Sequence, residues 1–320
     1  MKSCLFTGIL CIGMSISTLN AQSQKEREEP IIYGNMDQWL VRVVDESFII
    51  GGKTKYLYEI AAGDTLRNNT PYSPVLSPWA SSTVMAKVSG VVKASVTIFP
   101  EKRDDGYCAR LETRMEHVKV LGLIDISVLA TGTIFLGGVA EPIRDTKNPQ
   151  GKLNSGIPFH KRPKALVYDY KVTPGGEQIK ATGFSRIVHI PEQNNAEACL
   201  LLQHRWEDKD GNVYARRIGT AYERYTQNVT TWQNNHRITV RYGDISKEAF
   251  FKPYMGLFKG ESNPYCINSK GVSVPIQEIG WASPDEEPTH IIVRFSSGHG
   301  GAYIGTPDSK FWIDNVKLIY

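Results

Sequence analysis

The segment Phe311-Trp-Ile-Asp-Asn-Val-Lys-Leu-Ile-Tyr320 constrains the fold more than any other stretch of this 320-residue chain. It alternates as a β-strand does. Trp312, Asp314, Val316, Leu318 and Tyr320 fall on one face, and Phe311, Ile313, Asn315, Lys317 and Ile319 on the other. Both faces are largely apolar, so the strand is expected to be covered on both sides over part of its length. Asp314 then points where Trp312 and Val316 point. A carboxylate in that position needs an arginine, a set of N–H donors or a metal ion.

The rest of the chain reads the same way. β-prone runs recur at Val84–Pro100, Ile124–Val139 (broken by Gly132, Gly137 and Gly138), Lys164–Val172, Phe184–Ile190, Ala198–Trp206, Ile238–Tyr242 and His290–Ser296. Between Tyr107 and Val118 the chain alternates, with Cys108, Arg110 and Glu112 opposite Ala109, Leu111 and Thr113. Asp210-Gly211 between two such runs predicts a hairpin with a type I′ turn. Asp244 to Phe250 is the most helix-like piece. Ile31 to Trp39 reads as a first strand, and Asp45 to Ile60 as a strand pair or an ordered insert. The pattern predicts an all-β jelly-roll β-sandwich of two antiparallel sheets with little helix, in one domain spanning residues 31–320.

Residues 1–22 read as a signal peptide: Lys2 leads a short apolar run from Cys4 to Ser17, with cleavage expected after Ala21 or Gln22. Residues 23–30 follow as a mobile charged lead. Cys11 is preceded by Gly8-Ile9-Leu10, a poor lipoprotein box, and no later segment is apolar enough to span a membrane. A secreted, periplasmic or cell-surface location is expected. Only Cys108, Cys199 and Cys266 remain after processing, so at most one disulfide can form and the fold must rest on its core. The net charge of +4 is unclustered, which argues against nucleic acid as a partner.

Five blocks, in order, resemble the carbohydrate-metabolism domain (PCMD) family of secreted bacterial proteins, from about residue 75 onward. They are Pro78-Trp-Ala-Ser-Ser82, Cys108-Ala-Arg-Leu-Glu-Thr113, Gly156-Ile-Pro-Phe-His-Lys-Arg-Pro-Lys-Ala-Leu166, Ser296-Ser-Gly298 through Gly305, and Ile313-Asp-Asn-Val316. The resemblance implies a jelly roll related in shape to glucanases and carbohydrate-binding modules. In jelly-roll binding modules the first and last strands often meet at a calcium near an Asp-Asn-Val sequence. By that likeness Asp314 and Asp37 could hold a structural calcium, while an arginine such as Arg162 is the alternative partner for Asp314.

Catalytic signatures are missing from the sequence. A retaining glucanase sandwich would carry Glu-x-Asp-x-(x)-Glu on one strand, and no such motif occurs. Glu207–Asp210 and Asp285–Glu287 read as solvated loops, and Glu112 and Glu116 as a charge ladder with Arg110 and Arg114. There is no Gly-x-Ser-x-Gly, the seven histidines lack metal-ligand spacing, and Gly298-His-Gly-Gly301 has no phosphate-loop lysine. Sugar recognition would rest on exposed aromatic rings beside polar groups, for which Trp206, Trp232, Trp281, Tyr168 and Tyr170 are candidates, with Arg162 lining a cleft. The expected function is therefore an exported, non-catalytic glycan-binding protein whose partner is a polysaccharide or oligosaccharide. Two alternatives stand beside it: a glycoside hydrolase or lyase with an unrecognised carboxylate pair, and a structural cell-surface component or adhesin.

Overall fold

The computed structural model describes residues 26–120, 124–144, 148–183 and 185–320. The expected signal peptide, the first residues of the charged lead and Phe184 lie outside the described residues. Two sheets face one another. The six-stranded sheet runs in the order Val229–Thr239, Ala165–Thr173, Lys310–Ile319, Gly106–Glu112, Ile98–Arg103, and Glu28–Pro30 also pairs with Lys310–Ile319. The ten-stranded sheet runs Leu153–Ser155, Thr133–Val139, His290–Ser296, Ala196–Glu207, Val213–Tyr225, Ser273–Trp281, Tyr265–Ile267, with three short strands attached at its sides. This is the all-β sandwich the alternation predicts. Part of the charged lead is thus built in: Glu28 pairs with Lys317 at 2.8 Å and Glu26 with Arg237 at 2.7 Å. One pairing departs from the antiparallel expectation, because Val213–Tyr225 lies parallel to Ser273–Trp281. The chain between them crosses to the other sheet and back, the long excursion a parallel pair requires.

The inner faces supply the core. Ile98, Leu111, Leu166, Val172, Phe311 and Ile313 of one sheet meet Leu200, Leu202, Ile218, Val293 and Phe295 of the other. Tyr168 and Tyr170 belong to this layer and are buried. Tyr168 lies edge-on to Phe295, centroids 4.9 Å apart, and its hydroxyl bonds that of Tyr225; Tyr170 packs 4.7 Å from the Tyr225 ring. Neither tyrosine can meet a ligand at the surface, which corrects their place among the candidate sugar contacts. Their parity with Leu166 and Val172 puts them inside.

The closing strand also departs from simple alternation. Phe311 and Ile313 point into the core, but so do Val316 and Leu318. The switch occurs at Asn315, whose φ of 50° is left-handed, a conformation asparagine tolerates better than most side chains. The register against Ala165–Thr173 slips between Val167 and Asp169, as a bulge demands. Asn315 is held there by its own Nδ2, which donates to Asp169 Oδ2 at 2.9 Å.

Smaller corrections have local causes. Val84–Pro100 is not one run: Ser89 and Gly90, with φ of 49° and 82°, fold Val84–Val88 onto Val91–Ser95. The hairpin at Asp210-Gly211 is present, but only Gly211 there has a positive φ. Asp208 Oδ1 accepts the N–H groups of Asp210 and Asn212, each at 2.9 Å, which makes a longer loop than a type I′ turn. Asp244 to Phe250 forms turns rather than a helix, with Asp244 Oδ1 accepting the Ser246 N–H at 2.9 Å. Beyond it, Tyr254, Met255 and Phe258 pack on Cys199, Leu201, Tyr222 and Ile292 and cover the outer face of the ten-stranded sheet. Cys108, Cys199 and Cys266 are buried free thiols.

Residues 45–60 resolve as part of a hairpin, Trp39–Asp45 with Thr54–Ile60, sharing a small core of Val44, Leu57, Met85, Val92 and Ala94 with the hairpin above. Beside this core Arg42 meets two buried carboxylates, Glu59 at 2.7 Å and Glu141 at 2.5 Å. One guanidinium cannot neutralise both. Burial, against the pull of Arg42, pushes Glu59 up to about 7. A raised acid stabilises the fold fully below its unfolded value near ~4.3, and the contribution is lost as pH rises through the folded value. Urea melts of wild type should therefore lose on the order of 3 kcal/mol between about pH 4.5 and 7.5 through this group. Glu59→Gln should flatten that slope, and an unchanged slope would show that Glu59 is already ionised in the fold.

Candidate functional site

With one sheet covered by its own loop, the outer face of the six-stranded sheet carries the polar and aromatic side chains that its inner face excludes. Odd positions of Ile98–Arg103 present Phe99, Glu101 and Arg103, and even positions of Gly106–Glu112 present Cys108, Arg110 and Glu112. Lys310–Ile319 adds Trp312 and Asp314, Ala165–Thr173 adds Asp169 and Lys171, and the edge strand Val229–Thr239 adds Trp232 and Asn234.

Arg103 ties these strands together. Its NH1 donates to Asp314 Oδ2 at 2.8 Å, and its NH2 to Asn234 Oδ1 at 2.7 Å and Asp169 Oδ2 at 3.0 Å. Its guanidinium carbon sits 3.9 Å from the centroid of the Trp232 ring, a cation–π stack. Arg103 lies on one edge strand of the sheet and Trp232 and Asn234 on the other, so the sheet curls enough for its edges to meet over Asp314. The remaining lone pairs are filled from the backbone: Asn235 N–H donates to Asp169 Oδ1 at 2.6 Å and Asn315 N–H to Asp314 Oδ1 at 2.7 Å. Burial still pushes Asp314 up to about 6, with Asn315 and Arg103 opposing and Asp169 adding to the rise.

Beside this knot, the Lys171 ammonium lies 4.5 Å from the Trp312 ring and 5.4 Å from the Trp232 ring. Trp312 Nε1 donates to Glu101 Oε1 at 2.8 Å, Glu101 takes Arg110 Nε at 2.9 Å, and Arg110 also bonds Glu112. Two half-buried indoles thus flank one cation on a face whose acids and bases are largely cross-paired.

The other sequence-predicted residues lie elsewhere. Asp37 does not partner Asp314: its Oδ1 accepts the Tyr107 N–H at 2.8 Å, and a Cβ on Gly106 would meet that oxygen at 2.1 Å. Asp314 goes to Arg103 and not to Arg162, which stacks 4.4 Å from the Tyr242 ring and donates to the carbonyls of Pro284 and Glu286. Arg162 therefore holds a loop. Among the described residues no group of three or more His, Cys, Asp or Glu is placed to share a metal ion. Trp206 is on the ten-stranded sheet, stacked with Tyr214 at 5.9 Å, and Trp281 is on that sheet too, 5.9 Å from Arg217. Of the predicted ligand contacts, only Trp232 reaches this face. Trp312, Lys171, Arg103, Asp169 and Glu101 were missed; parity could set Glu101 with Arg103 and Asp169 with Lys171 on one face of each strand, but it could not bring those strands together, and the bulge at Asn315 hid Trp312.

No protein-family model matches the chain, and no curated protein does. The resemblance to the PCMD family rests on its sequence blocks alone. Among solved structures, the chain is similar to a Bacteroides thetaiotaomicron VPI-5482 protein provisionally assigned as a glycoside hydrolase. The TM-score is 0.47 and the identity 16%, over 87% of this chain and 70% of that one. A Bacteroides vulgatus ATCC 8482 protein with the same provisional assignment gives a TM-score of 0.41 at 15% identity, over 91% of this chain and 94% of that one. No helix among the described residues is long and apolar enough to cross a membrane.

Removing Arg103 leaves two buried carboxylates facing each other without a cation. Arg103→Ala should cost about 3–5 kcal/mol near pH 7.5. The loss should shrink near pH 5, because Asp314 can then take up a proton and relieve the repulsion. Denaturant melts at the two pH values check this, and an equal loss at both would mean that Asp314 does not titrate in the variant.

Proposed function

We propose that the outer face of the six-stranded sheet binds the sugar rings of a polysaccharide, and that the protein is an exported, non-catalytic glycan-binding β-sandwich serving polysaccharide recognition or utilisation. The observation that carries this reading is the placement of Trp232 and Trp312 on either side of Lys171. Indole faces pack on the C–H bonds of a pyranose, while the flanking ammonium, guanidinium and carboxylate groups offer donors and acceptors to its hydroxyls. Signal-peptide-like residues 1–22 and the five PCMD-like blocks agree with it and point to the periplasm or cell surface.

The acid pair on this face argues for binding over cleavage. Glycoside hydrolysis needs one carboxyl free to give a proton and a second free to attack or activate water. Asp169 and Asp314 are both buried, both bonded to Arg103, and each also accepts a backbone N–H. Freeing them for chemistry would mean breaking the knot that joins four strands.

A glycan microarray with residues 23–320 tests the proposal. Wild type should bind one glycan class saturably, equally in calcium and in EDTA. Trp312→Ala should weaken binding at least ~5-fold, the loss of an aromatic contact worth about 1 kcal/mol or more. Tyr170→Phe, in the core, should leave it unchanged. Silence of the folded wild type across the array, or undiminished binding by both Trp312→Ala and Trp232→Ala, would overturn the proposal.

A further inference from the structure

We infer that Arg103 is the positioning residue of this face, clamping Trp232 in the orientation a ligand meets, and that the charge on Asp314 decides whether the clamp is closed. The glycan reading enters only in what Trp232 is turned toward; the clamp itself can be observed without a ligand.

Trp232 has little else to hold it. Its strand is an edge strand, paired only to Ala165–Thr173, and the register slips twice, between Tyr168 and Tyr170 and between Tyr170 and Val172. Asn235 stands at a φ of 53°, and Thr230, Thr231, Gln233, Asn234 and Asn235 are exposed. A strand with that irregularity does not fix an indole by its backbone. The Trp232 ring instead rests on the Arg103 guanidinium at 3.9 Å, and the same guanidinium bonds the neighbouring Asn234 side chain at 2.7 Å. Arg103 is in turn held flat by Asp314 through NH1 and Asp169 through NH2. The two carboxylates are not equivalent. Asp169 also receives the Asn315 side chain and the Asn235 N–H, whereas Asp314 has Arg103 and one N–H.

The groups around Asp314 leave it as the responsive one. From the arginine's own strand end comes Asp104, largely exposed and 3.7 Å from Arg103 Nε. The next strand brings the Cys108 thiol, pushed by burial up to about 12 and so neutral. Asp169 and Lys171 face it from Ala165–Thr173, and Lys171 is drawn to Glu101 at 3.5 Å. On the closing strand Lys317 is taken by Glu28 and Asn235. The edge strand has no titratable side chain from Val229 to Asn235; farther along it, His236 lies against the core Tyr168 and Tyr170 and meets Glu223 at 2.8 Å, and Arg237 is taken by Glu26 at 2.7 Å. Protonating Asp314 leaves Arg103 with one buried charged partner, Asp169, beside the exposed Asp104, and the stack above it loosens.

The test is acrylamide quenching of tryptophan fluorescence in the full chain, with the Trp232 share taken as the difference between wild type and Trp232→Phe. That share should become about twofold more quenchable as pH falls through about 6. Asp314→Asn should show the low-pH value already near pH 7.5, and Arg103→Lys, which keeps the charge but not the flat fork, should show it at every pH. A Trp232 share that stays constant from about pH 4.5 to 7.5 in wild type overturns the inference, as does an Arg103→Lys variant that quenches like wild type. The same proteins on the microarray separate the two readings. A pH-dependent Trp232 signal without glycan binding keeps the clamp and removes the glycan reading. Glycan binding with a flat signal does the reverse.

Discussion

Arg103 is the interaction on which the outer face depends. A sheet of this size exposes its two edges, and an open edge is a liability unless it is covered or curled away. Here one guanidinium bridges from one edge strand to the other, spans the closing strand through Asp314 and reaches the next through Asp169. The ion pairs are buried, so their net contribution to stability is small compared with what it costs to break them. Their value lies in geometry: they set the curl, and the curl brings Trp232 to the same patch as Lys171 and Trp312.

The two sheets divide the work. On the ten-stranded sheet the outer face is closed by Tyr254, Met255 and Phe258, and its charges are internal: Arg217 pairs with the fully buried Glu278, while Glu197 collects Arg224, Arg294 and the Tyr222 hydroxyl. Where that loop lies the face offers no open platform, although Trp206, stacked with Tyr214, stays exposed at the end of its strand. The six-stranded sheet curls over Asp314 and Asp169, which are buried, and leaves Trp232, Trp312 and Lys171 half-buried beside them. Its aromatic rings lie among paired charges, which gives a ligand both apolar surface and hydrogen-bonding groups without an unpaired buried ion.

The alternation of apolar residues was enough to give most of the strands and the sandwich, but Ile31 to Gln38 forms turns between Glu28–Pro30 and Trp39–Asp45, and Tyr168 and Tyr170 stood among the surface rings although they share a face with Leu166. It was also enough to show that Asp314 needed a partner. The partner was not legible, because Arg103 lies 211 residues away and reaches it only through the curl. The bulge at Asn315 was likewise hidden: a single left-handed residue shifts Val316 and Leu318 into the core, and a strict period of two cannot represent it. Trp312 was assigned to a face with Val316 for the same reason and went unnoticed as a surface ring. Local composition misplaced Arg162, whose flanking prolines marked the rigid loop it holds. Asp37 was misread by likeness to calcium sites, when Gly106 opposite it was the sign of a close backbone approach.

Oxidative footprinting of tryptophans, read by mass spectrometry with and without a mixture of soluble polysaccharides, locates the ligand on one sheet or the other. Protection confined to Trp232 and Trp312, with Trp206 and Trp281 unaffected, is the predicted result. Protection of Trp206 with Trp232 and Trp312 left reactive would place the ligand on the other sheet and contradict the account.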